Sequence, residues 1–385
     1  MFNFTLHLPT QILFGEGQIA SITQYLPRTA RILLVYGGGS IKKNGVFEQV
    51  SNALDGYHYI EFSGIEPNPQ YETLLKAVAL VKQHQLNFIL AVGGGSVLDG
   101  CKFIASAVGF SGDLWQQIIV KKAEIKQALP IGTILTLPAT GSEMNGTAVI
   151  SRRETQDKLS FKSAAVKPLF AVLDPTSTYS LPPRQTANGV VDAFVHTFEQ
   201  YMTYPVDAKI QDRFAEGVFL TLIEDGPKVL ANPSDYHARA NIMWAATMGL
   251  NGILGVGVPQ DWSSHAIGHE LTAIYGLDHA QTLAIIVPAL MEHQKADKRE
   301  KLIQYAKRVW NYQGNNNDEA VRLAIDNTRA FFEQMGVKTR FADYGIDDGQ
   351  FPLVLKKLAE HKPPLLGERN NIDSRAVDTI LRAAL

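Results

Sequence analysis

The amino-acid sequence predicts an α/β protein in which a domain with a doubly wound parallel sheet precedes an all-helical domain. Three observations support this prediction. Apolar runs alternate with segments of helical spacing in the first half, helical spacing dominates the second half, and Pro182 and Pro183 separate the two. A chain of 385 residues is also too long for one ordinary hydrophobic core. We therefore predict an α/β domain over residues 1–183 and a helical domain over residues 184–385.

Four short apolar runs in the first half are expected to form strands. Each run is continuous rather than alternating, as is typical of parallel strands that helices cover on both faces. The predicted strands are residues 31–37, 87–93, 134–140 and 169–174. The predicted helices between them are residues 42–56, 71–85 and 96–110. This strand–helix–strand order implies a parallel sheet that binds ligands at the carboxyl ends of its strands.

The second half contains segments whose apolar residues recur at helical spacing. Several of these segments end in glycine, which is common at helix C-termini. The predicted helices are residues 191–202, 211–225, 238–254, 301–310 and 320–336. This half is therefore expected to form a helical bundle.

Composition and charge limit the possible function classes. The formal net charge is −2, so the basic excess of a typical nucleic-acid-binding protein is missing. Cys101 is the single cysteine, which excludes an internal disulfide and a thiolate metal cluster. The N-terminal residues do not resemble a signal peptide, and no apolar run reaches the length of a membrane span. We expect a cytoplasmic protein that binds neither nucleic acid nor membranes.

Two of the predicted strands end in the same sequence, Gly-Gly-Gly-Ser, at residues 37–40 and 93–96. Glycines let backbone N–H groups approach an anion closely, and a following helix adds partial positive charge. A third predicted strand is followed by residues 136–143, which carry three hydroxyl side chains and a glycine. Tight turns in the first two loops and a helix cap in the third segment are alternative readings. Three such loops at one sheet edge favour a single dinucleotide site.

The residues after the first Gly-Gly-Gly-Ser loop predict which dinucleotide binds. A site for NAD typically ends a strand with an acid that binds the ribose 2′-OH. Here Ser40 is followed by Lys42 and Lys43, and the first acid is Glu48. This pattern suits an additional phosphate, so we expect NADP(H). The alternative is that the two lysines are only a solvated helix start. The second loop continues into an uncharged helix start, which suits a pyrophosphate.

The helical half contains a cluster of potential metal ligands. Asp192 and His196 are four residues apart, as are His265 and His269, which places each pair on one face of a helix. His279 follows ten residues after His269. One carboxylate with two or three imidazoles suits a divalent metal such as Fe²⁺ or Zn²⁺, and the lack of thiolates argues against a structural zinc site. Ordinary core or surface histidines are the alternative.

Several of these motifs, in this order, resemble the iron-containing (group III) alcohol dehydrogenases. The matching stretches are GGGSVLD at 93–99, TLPATGSE at 136–143, VLDP to LPP at 172–183, DAFVH at 192–196 and HAIGHE to DHA at 265–280. The resemblance extends over nearly the whole chain. Within the family the chain is most similar to the branch of NADPH-dependent aldehyde reductases, which is related to the butanol dehydrogenases. The resemblance implies a Rossmann-like domain followed by a helical domain, the dehydroquinate synthase-like fold.

The resemblance also implies roles for individual residues. The implied metal ligands are Asp192, His196, His265 and His279. His269 is implied as a catalytic proton relay and Asp99 as a catalytic residue beside the nicotinamide. The implied cofactor-binding residues are Gly38, Gly39, Ser40, Asn68, Gly94, Gly95, Ser96, Asp99, Thr136, Thr140, Ser142 and Lys158. Among these, the residues from Gly94 to Ser96 would hold the pyrophosphate and those from Gly38 to Ser40 the adenosine ribose.

The implied activity is reversible hydride transfer between NADP(H) and an aldehyde or primary alcohol, with a divalent metal as Lewis acid. A homodimer is expected from the family. A polyol dehydrogenase or a dehydroquinate synthase-like lyase is the alternative closest in fold, and Phe161, Trp262 and Ile267 favour a more apolar pocket than either would have. A metal-dependent hydrolase would leave the glycine loops unexplained. A non-catalytic nucleotide sensor would not need the metal ligands.

Overall fold

A computed structural model describes all 385 residues of the chain, which form two compact units. The α/β unit comprises His7–Leu181 and Pro233–Thr247. The helical unit comprises Met1–Leu6, Pro182–Asn232 and Met248–Leu385. A segment of the second half of the sequence therefore belongs to the α/β unit. The domain boundary between residues 183 and 184 stays a prediction.

The α/β unit is built on a six-stranded sheet in which all neighbouring strands are parallel. Its strands are β1 (Gln11–Phe14), β2 (Arg31–Tyr36), β3 (His58–Phe62), β4 (Phe88–Gly94), β5 (Ile131–Leu137) and β8 (Phe170–Leu173). Their order across the sheet is β1-β8-β5-β4-β2-β3. A separate antiparallel hairpin consists of β6 (Thr147–Arg152) and β7 (Asp157–Lys162). The predicted α/β fold class is confirmed.

Helices cover both faces of this sheet, as the continuous apolar runs predict. The helices of the first half are α1 (Val46–Ala53), α2 (Tyr71–His84) and α3 (Gly95–Ala107). Alternate residues of β2 point into opposite cores: Leu33 and Val35 pack in one, and Ile32 and Leu34 in the other. All four side chains are fully buried. This two-sided burial explains why the strands lack an alternating polar pattern.

The strand order reverses between β2 and β4. The chain passes from β2 to β3 at one edge, returns to β4 on the other side of β2, and continues through β5. Tyr36 of β2 lies beside Val92 of β4, so the two Gly-Gly-Gly-Ser loops leave neighbouring strands at the same end. Ligands of doubly wound sheets bind at such a reversal point, outside the carboxyl ends of the strands.

The remaining helices follow residue 182. They are α4 (Pro183–Tyr201), α5 (Lys209–Ala231), α6 (Tyr236–Leu250), α7 (Ser263–Tyr275), α8 (His279–Gln294), α9 (Arg299–Arg308), α10 (Asn317–Gln334), α11 (Phe351–His361) and α12 (Ser374–Ala383). Pro183 stands in the first turn of α4, where its missing N–H costs nothing. Asn316 caps α10, and Gly276 ends α7 in a left-handed conformation. No helix combines the length and apolarity needed to cross a membrane.

The helical unit has a core of its own, rich in aromatic side chains. Phe194 of α4 packs against Phe219, Phe331 and Phe332, with ring centroids 4.7, 5.2 and 5.4 Å away. Phe194, Phe219 and Phe332 are fully buried. This packing fixes α4, the helix that carries Asp192 and His196, against α5 and α10.

Candidate functional site

The second Gly-Gly-Gly-Ser loop joins β4 directly to α3. The strand ends at Gly94 and the helix begins at Gly95. A Cβ atom at Gly95 would lie 2.6 Å from Oγ1 and Cγ2 of Thr140, and one at Gly94 would lie 2.9 Å from Cβ of Leu137. Both glycines are therefore needed for the close approach of β5 and the loop after it. The first N–H groups of a helix have no intrahelical partners, so this junction is a candidate anion site.

The first Gly-Gly-Gly-Ser loop has a different geometry. Gly39 has a φ of +90°, a left-handed conformation that favours glycine. A Cβ atom at Gly38 would meet nothing within 4 Å. Ser40 begins a single 3₁₀ turn, Ser40–Lys42, and no α-helix follows until Val46. This loop offers an open surface and a hydroxyl group rather than a long helix with its N-terminus at the strand end.

Lys42 is held at this loop by an acid that the sequence analysis missed. Its Nζ donates a hydrogen bond to Oε2 of Glu61 at 2.8 Å and lies 4.4 Å from the ring centroid of Phe47. Tyr36 donates from its hydroxyl to the same Oε2 at 2.6 Å. The bond to Glu61 raises the pKa of Lys42, and the bond from Lys42 lowers the pKa of Glu61. Glu61 comes from the neighbouring strand β3, so no local sequence signal marks it.

Asp99 of α3 belongs to a polar network within the α/β unit. Its carboxylate accepts hydrogen bonds from Oγ of Ser142 at 2.6 Å and from the backbone N–H of Val149 at 2.9 Å. Lys102 donates from Nζ to Oγ of Ser142 at 2.7 Å. Burial raises the pKa of Asp99, against the opposing charge of Lys102, and burial lowers the pKa of Lys102 to about 8. These contacts tie the loop after β5 to α3, and the cofactor roles of Asp99 and Ser142 stay predictions.

The other predicted cofactor residues lie in α3, β5, β7 and the loop before α2. Asn68 donates its backbone N–H to Oγ of Ser96 at 3.3 Å and has a φ of +55°, so these two residues meet at the start of α3. Thr136 lies in β5, one residue before the strand ends. Lys158 is 4% exposed in β7, and its charge lowers the pKa of Asp99, which places it near that carboxylate. Binding by these residues stays a prediction.

Three of the four predicted metal ligands form a compact group in the helical unit. Asp192, His265 and His279 each offer a ligand atom, and these atoms lie within 4.8 Å of one another. His196 lies beside the group: its Nδ1 is 3.7 Å from Oδ1 of Asp192, and its ring centroid is 4.6 Å from that of His265. Asp192 and His196 stand one turn apart on α4, as their spacing predicts. The structure thus brings all four residues together.

The chemistry of this group fits a divalent cation. Oδ1 of Asp192 is buried and accepts no hydrogen bond. Buried carboxylate oxygens are normally hydrogen-bonded, so an oxygen without a partner is an energetic cost that a cation would remove. One carboxylate with three imidazoles is a donor set suited to Zn²⁺ or Fe²⁺. The assignment of Asp192, His196, His265 and His279 as ligands stays a prediction.

A buried carboxylate stands behind one of these histidines. Glu199 of α4 is 2% exposed, and its Oε2 is hydrogen-bonded to Nδ1 of His265. Its Oε1 accepts hydrogen bonds from the hydroxyl of Ser264 and from the backbone N–H of His265, the latter at 3.1 Å. Burial raises the pKa of Glu199 to about 8, while the bond from Ser264 opposes the shift. The sequence analysis missed Glu199, although it follows His196 by three residues on the same helix.

A third missed residue, Asp278, fixes the start of α8. Its Oδ2 accepts hydrogen bonds from Nε of Arg184 at 2.8 Å and from Nδ2 of Asn188 at 2.7 Å, both on α4. Its backbone N–H donates to Oε1 of Gln281 at 2.9 Å. His279 is the first residue of α8. Asp278 therefore links the element that carries His279 to the element that carries Asp192.

His269 lies within the same group of imidazoles. Its ring centroid is 5.1 Å from that of His279 and 6.0 Å from that of His265. Trp262 packs edge-on against His265 with ring centroids 5.3 Å apart. Phe161 and Ile267, which we expected to shape a substrate pocket, are instead buried core residues of their units. The role of His269 as a proton relay stays a prediction.

A parallel sheet with glycine loops at its reversal point, together with an aspartate–histidine group on helices, is the combination expected of a metal-dependent dehydrogenase. Residues 9–175 match the iron-containing alcohol dehydrogenase family, and residues 186–385 match the C-terminal domain of the Fe-containing alcohol dehydrogenase family. The chain belongs to the iron-containing alcohol dehydrogenase family. The predicted family and the predicted oxidoreductase class are confirmed.

Individual relatives agree with this assignment over their full length. The chain is 59% identical to the NADPH-dependent aldehyde reductase YqhD of Escherichia coli, with 100% of both chains covered. It is 38% identical to the NADH-dependent butanol dehydrogenase A of Clostridium acetobutylicum, with 99% of both covered. A solved structure of E. coli YqhD covers 100% of this chain and 99% of its own with a TM-score of 0.98 at 59% identity.

Proposed function

We propose that this chain interconverts aldehydes and primary alcohols, using NADPH as hydride donor and a divalent metal as Lewis acid. The observation that carries the proposal is the buried group of Asp192, His265 and His279, whose ligand atoms lie within 4.8 Å of one another. Membership of the alcohol dehydrogenase family and 59% identity to a protein named as an NADPH-dependent aldehyde reductase support it.

The choice of NADPH rests on the first Gly-Gly-Gly-Ser loop. Relatives of 36–39% identity include proteins named as NADH-dependent butanol dehydrogenases, so family membership alone does not select the dinucleotide. Ser40 stands in this chain where a site for NAD typically has an acid. Gly38 leaves open space beside it, and Lys42 offsets the charge of Glu61. This environment accepts the extra negative charge of a 2′-phosphate.

In the helical unit, the metal would be held by Asp192, His196, His265 and His279. When bound, the metal would draw electron density from the substrate oxygen, and the nicotinamide would supply the hydride. Asp192 contributes the one negative charge of this donor set, so a dication keeps net positive charge. His269 lies near His279 and His265 and would pass the proton that the product alcohol requires.

The test is a steady-state assay of protein stripped of metal and reloaded with Fe²⁺, Zn²⁺, Mn²⁺ or Co²⁺. A panel of aldehydes is offered with NADPH and with NADH, and glycerol and short diols are offered with NADP⁺. We expect aldehyde-dependent oxidation of NADPH that requires metal. Oxidation of polyols in preference to reduction of simple aldehydes would instead support the polyol dehydrogenase reading. The homodimer and the cytoplasmic location stay predictions.

A further inference from the structure

Glu199 is placed where it can orient His265, one of the candidate metal ligands. Its carboxylate contacts His265 twice, through Nδ1 of the ring and through the backbone N–H, and it also accepts the hydroxyl of Ser264. Glu199, Ser264 and His265 are all less than a tenth exposed. The contacts join α4, which carries Asp192 and His196, to the first turn of α7.

We propose that Glu199 is a positioning residue that holds the Nδ1 proton of His265 and thereby presents Nε2 of that ring to the metal. The inference rests on the proposed function, in which His265 is a ligand. A neutral imidazole carries one proton on one of its two nitrogens, and the nitrogen without a proton binds metal. A carboxylate accepts at both oxygens, so it accepts from the backbone N–H and the ring N–H at once. Such outer partners orient metal-bound histidines and raise their basicity.

The buried ammonium group of Lys298 is already bonded to three other groups. Lys298 is 4% exposed and donates from Nζ to Oδ2 of Asp261 and Oε2 of Glu368, each at 2.8 Å, and to the carbonyl of Met202 at 2.7 Å. An ammonium group has three protons, and these three bonds use them. Lys298 is therefore not a partner of Glu199, whose carboxylate contacts Ser264 and His265.

This second network also holds the backbone around Glu199. The N–H of Asp261 donates to the carbonyl of Glu199 at 2.8 Å, and Asp261 accepts from the N–H of Ser263 at 2.9 Å. The segment that leads into α7 is thus bonded to the end of α4 through the backbone of Glu199 as well as through its carboxylate. These bonds hold Glu199 beside His265.

The substitution Glu199→Gln tests the proposal because it preserves the shape of the side chain and replaces one acceptor oxygen by a donor NH₂ group. The backbone N–H of His265 can only donate, so the amide oxygen of glutamine must face it. The amide NH₂ then faces Nδ1, which can accept only if the ring proton moves to Nε2. A proton on Nε2 blocks that nitrogen for metal. We expect metal affinity to fall about 10- to 100-fold, the usual effect of removing such a partner.

The matched control is Glu270→Gln. Glu270 is a fully buried carboxylate on α7 whose Oε1 is 2.9 Å from Nδ1 of His361, a histidine outside the group of candidate ligands. Full-length proteins are stripped, and their Co²⁺ and Zn²⁺ affinities are measured by competition with a chelating dye. The visible Co²⁺ spectrum reports the ligand field directly. Glu270→Gln is expected to leave both the affinities and the spectrum unchanged, whereas Glu199→Gln alters both.

A double-mutant cycle with His265→Ala separates positioning from general stabilisation. We expect Glu199→Gln to have no further effect on metal affinity once His265 is absent. The proposal is overturned if Glu199→Gln lowers metal affinity equally with and without His265. It is also overturned if Glu199→Gln keeps wild-type metal affinity while His265→Ala loses it. Wild-type affinity of His265→Ala would refute the ligand set itself, and the proposal with it. Should Glu199→Gln not fold, Ser264→Ala removes one bond to the same carboxylate and is expected to give a smaller loss in the same direction.

Discussion

Two loops of the α/β unit share the sequence Gly-Gly-Gly-Ser and leave neighbouring strands at the same end, yet their glycines serve different purposes. At the β4–α3 junction, Cβ atoms at Gly93, Gly94 and Gly95 would lie 2.5, 2.9 and 2.6 Å from Val97, Leu137 and Thr140. These glycines are fixed by close packing. In the loop after β2, Gly38 borders open space and Gly39 is fixed by its positive φ.

The helical elements after the two loops also differ. The second loop leads at once into α3, a helix of 13 residues, whereas the first leads into a single 3₁₀ turn of three residues. Only α3 provides aligned peptide dipoles over several turns at the end of a strand. The same four-residue sequence therefore occurs in two different local structures. The α3 junction suits the pyrophosphate common to all nicotinamide dinucleotides, and the loop after β2 suits the ribose that distinguishes them.

The largest expected effect comes from Gly95→Ala. The new methyl group would meet Thr140 at 2.6 Å, so the helix or the neighbouring loop must shift. We expect a loss of about 1–3 kcal/mol in the free energy of unfolding, which is typical of overpacking. Binding of NADPH and NADH should weaken together. Urea unfolding and fluorescence titration with each dinucleotide measure the two effects.

Gly38→Ala is the matched control in the first loop. A Cβ atom there meets nothing within 4 Å, so the free energy of unfolding should change by less than about 0.5 kcal/mol. Equal destabilisation by the two substitutions would mean that the difference in packing between the loops does not affect the free energy of unfolding.

The next effect is on the choice of dinucleotide. Ser40→Asp places a carboxylate where the 2′-phosphate of NADPH is proposed to bind. Like charges a few ångströms apart repel by about 1–4 kcal/mol, so kcat/KM for NADPH should fall about tenfold or more. NADH has a 2′-OH that can donate to the new acid, and its kcat/KM should hold or rise. Steady-state kinetics with one aldehyde and both dinucleotides measure the ratio.

The smallest effect separates two adjacent lysines. Lys42→Gln leaves Glu61 without its cation beside the first loop, whereas Lys43 has no such contact. Exposed ion pairs contribute little, so KM for NADPH should rise only about threefold to fivefold in Lys42→Gln. Lys43→Gln should give a smaller change. A larger rise in Lys43→Gln would assign the phosphate to the other lysine.

Much of the α/β fold could be predicted because local patterns determine it. The four continuous apolar runs correspond to β2, β4, β5 and β8, and the helical spacing of the second half corresponds to real helices. The edge strand β3 was missed because its side chains are only half-buried or exposed, which leaves no continuous apolar run. The β6–β7 hairpin was missed because its strands are short and mixed in polarity.

The candidate sites were predictable where spacing along one element carries the information. Asp192 and His196 on α4 are an example. Glu61, Glu199 and Asp278 were not predicted, because each acts on a residue from another element. Glu199 lies 66 positions from His265, and Asp278 lies 90 positions from Asn188. Contacts over such separations depend on tertiary packing, which no local pattern encodes.

The measurement that tests the central claim most directly is the pair of dissociation constants for NADPH and NADH in Gly95→Ala and Ser40→Asp. The two loops are proposed to hold different parts of one dinucleotide. Gly95→Ala should therefore weaken the binding of both dinucleotides by the same factor, while Ser40→Asp should weaken the binding of NADPH alone. A uniform loss in Ser40→Asp, or a changed NADPH-to-NADH ratio in Gly95→Ala, would contradict this division of the site.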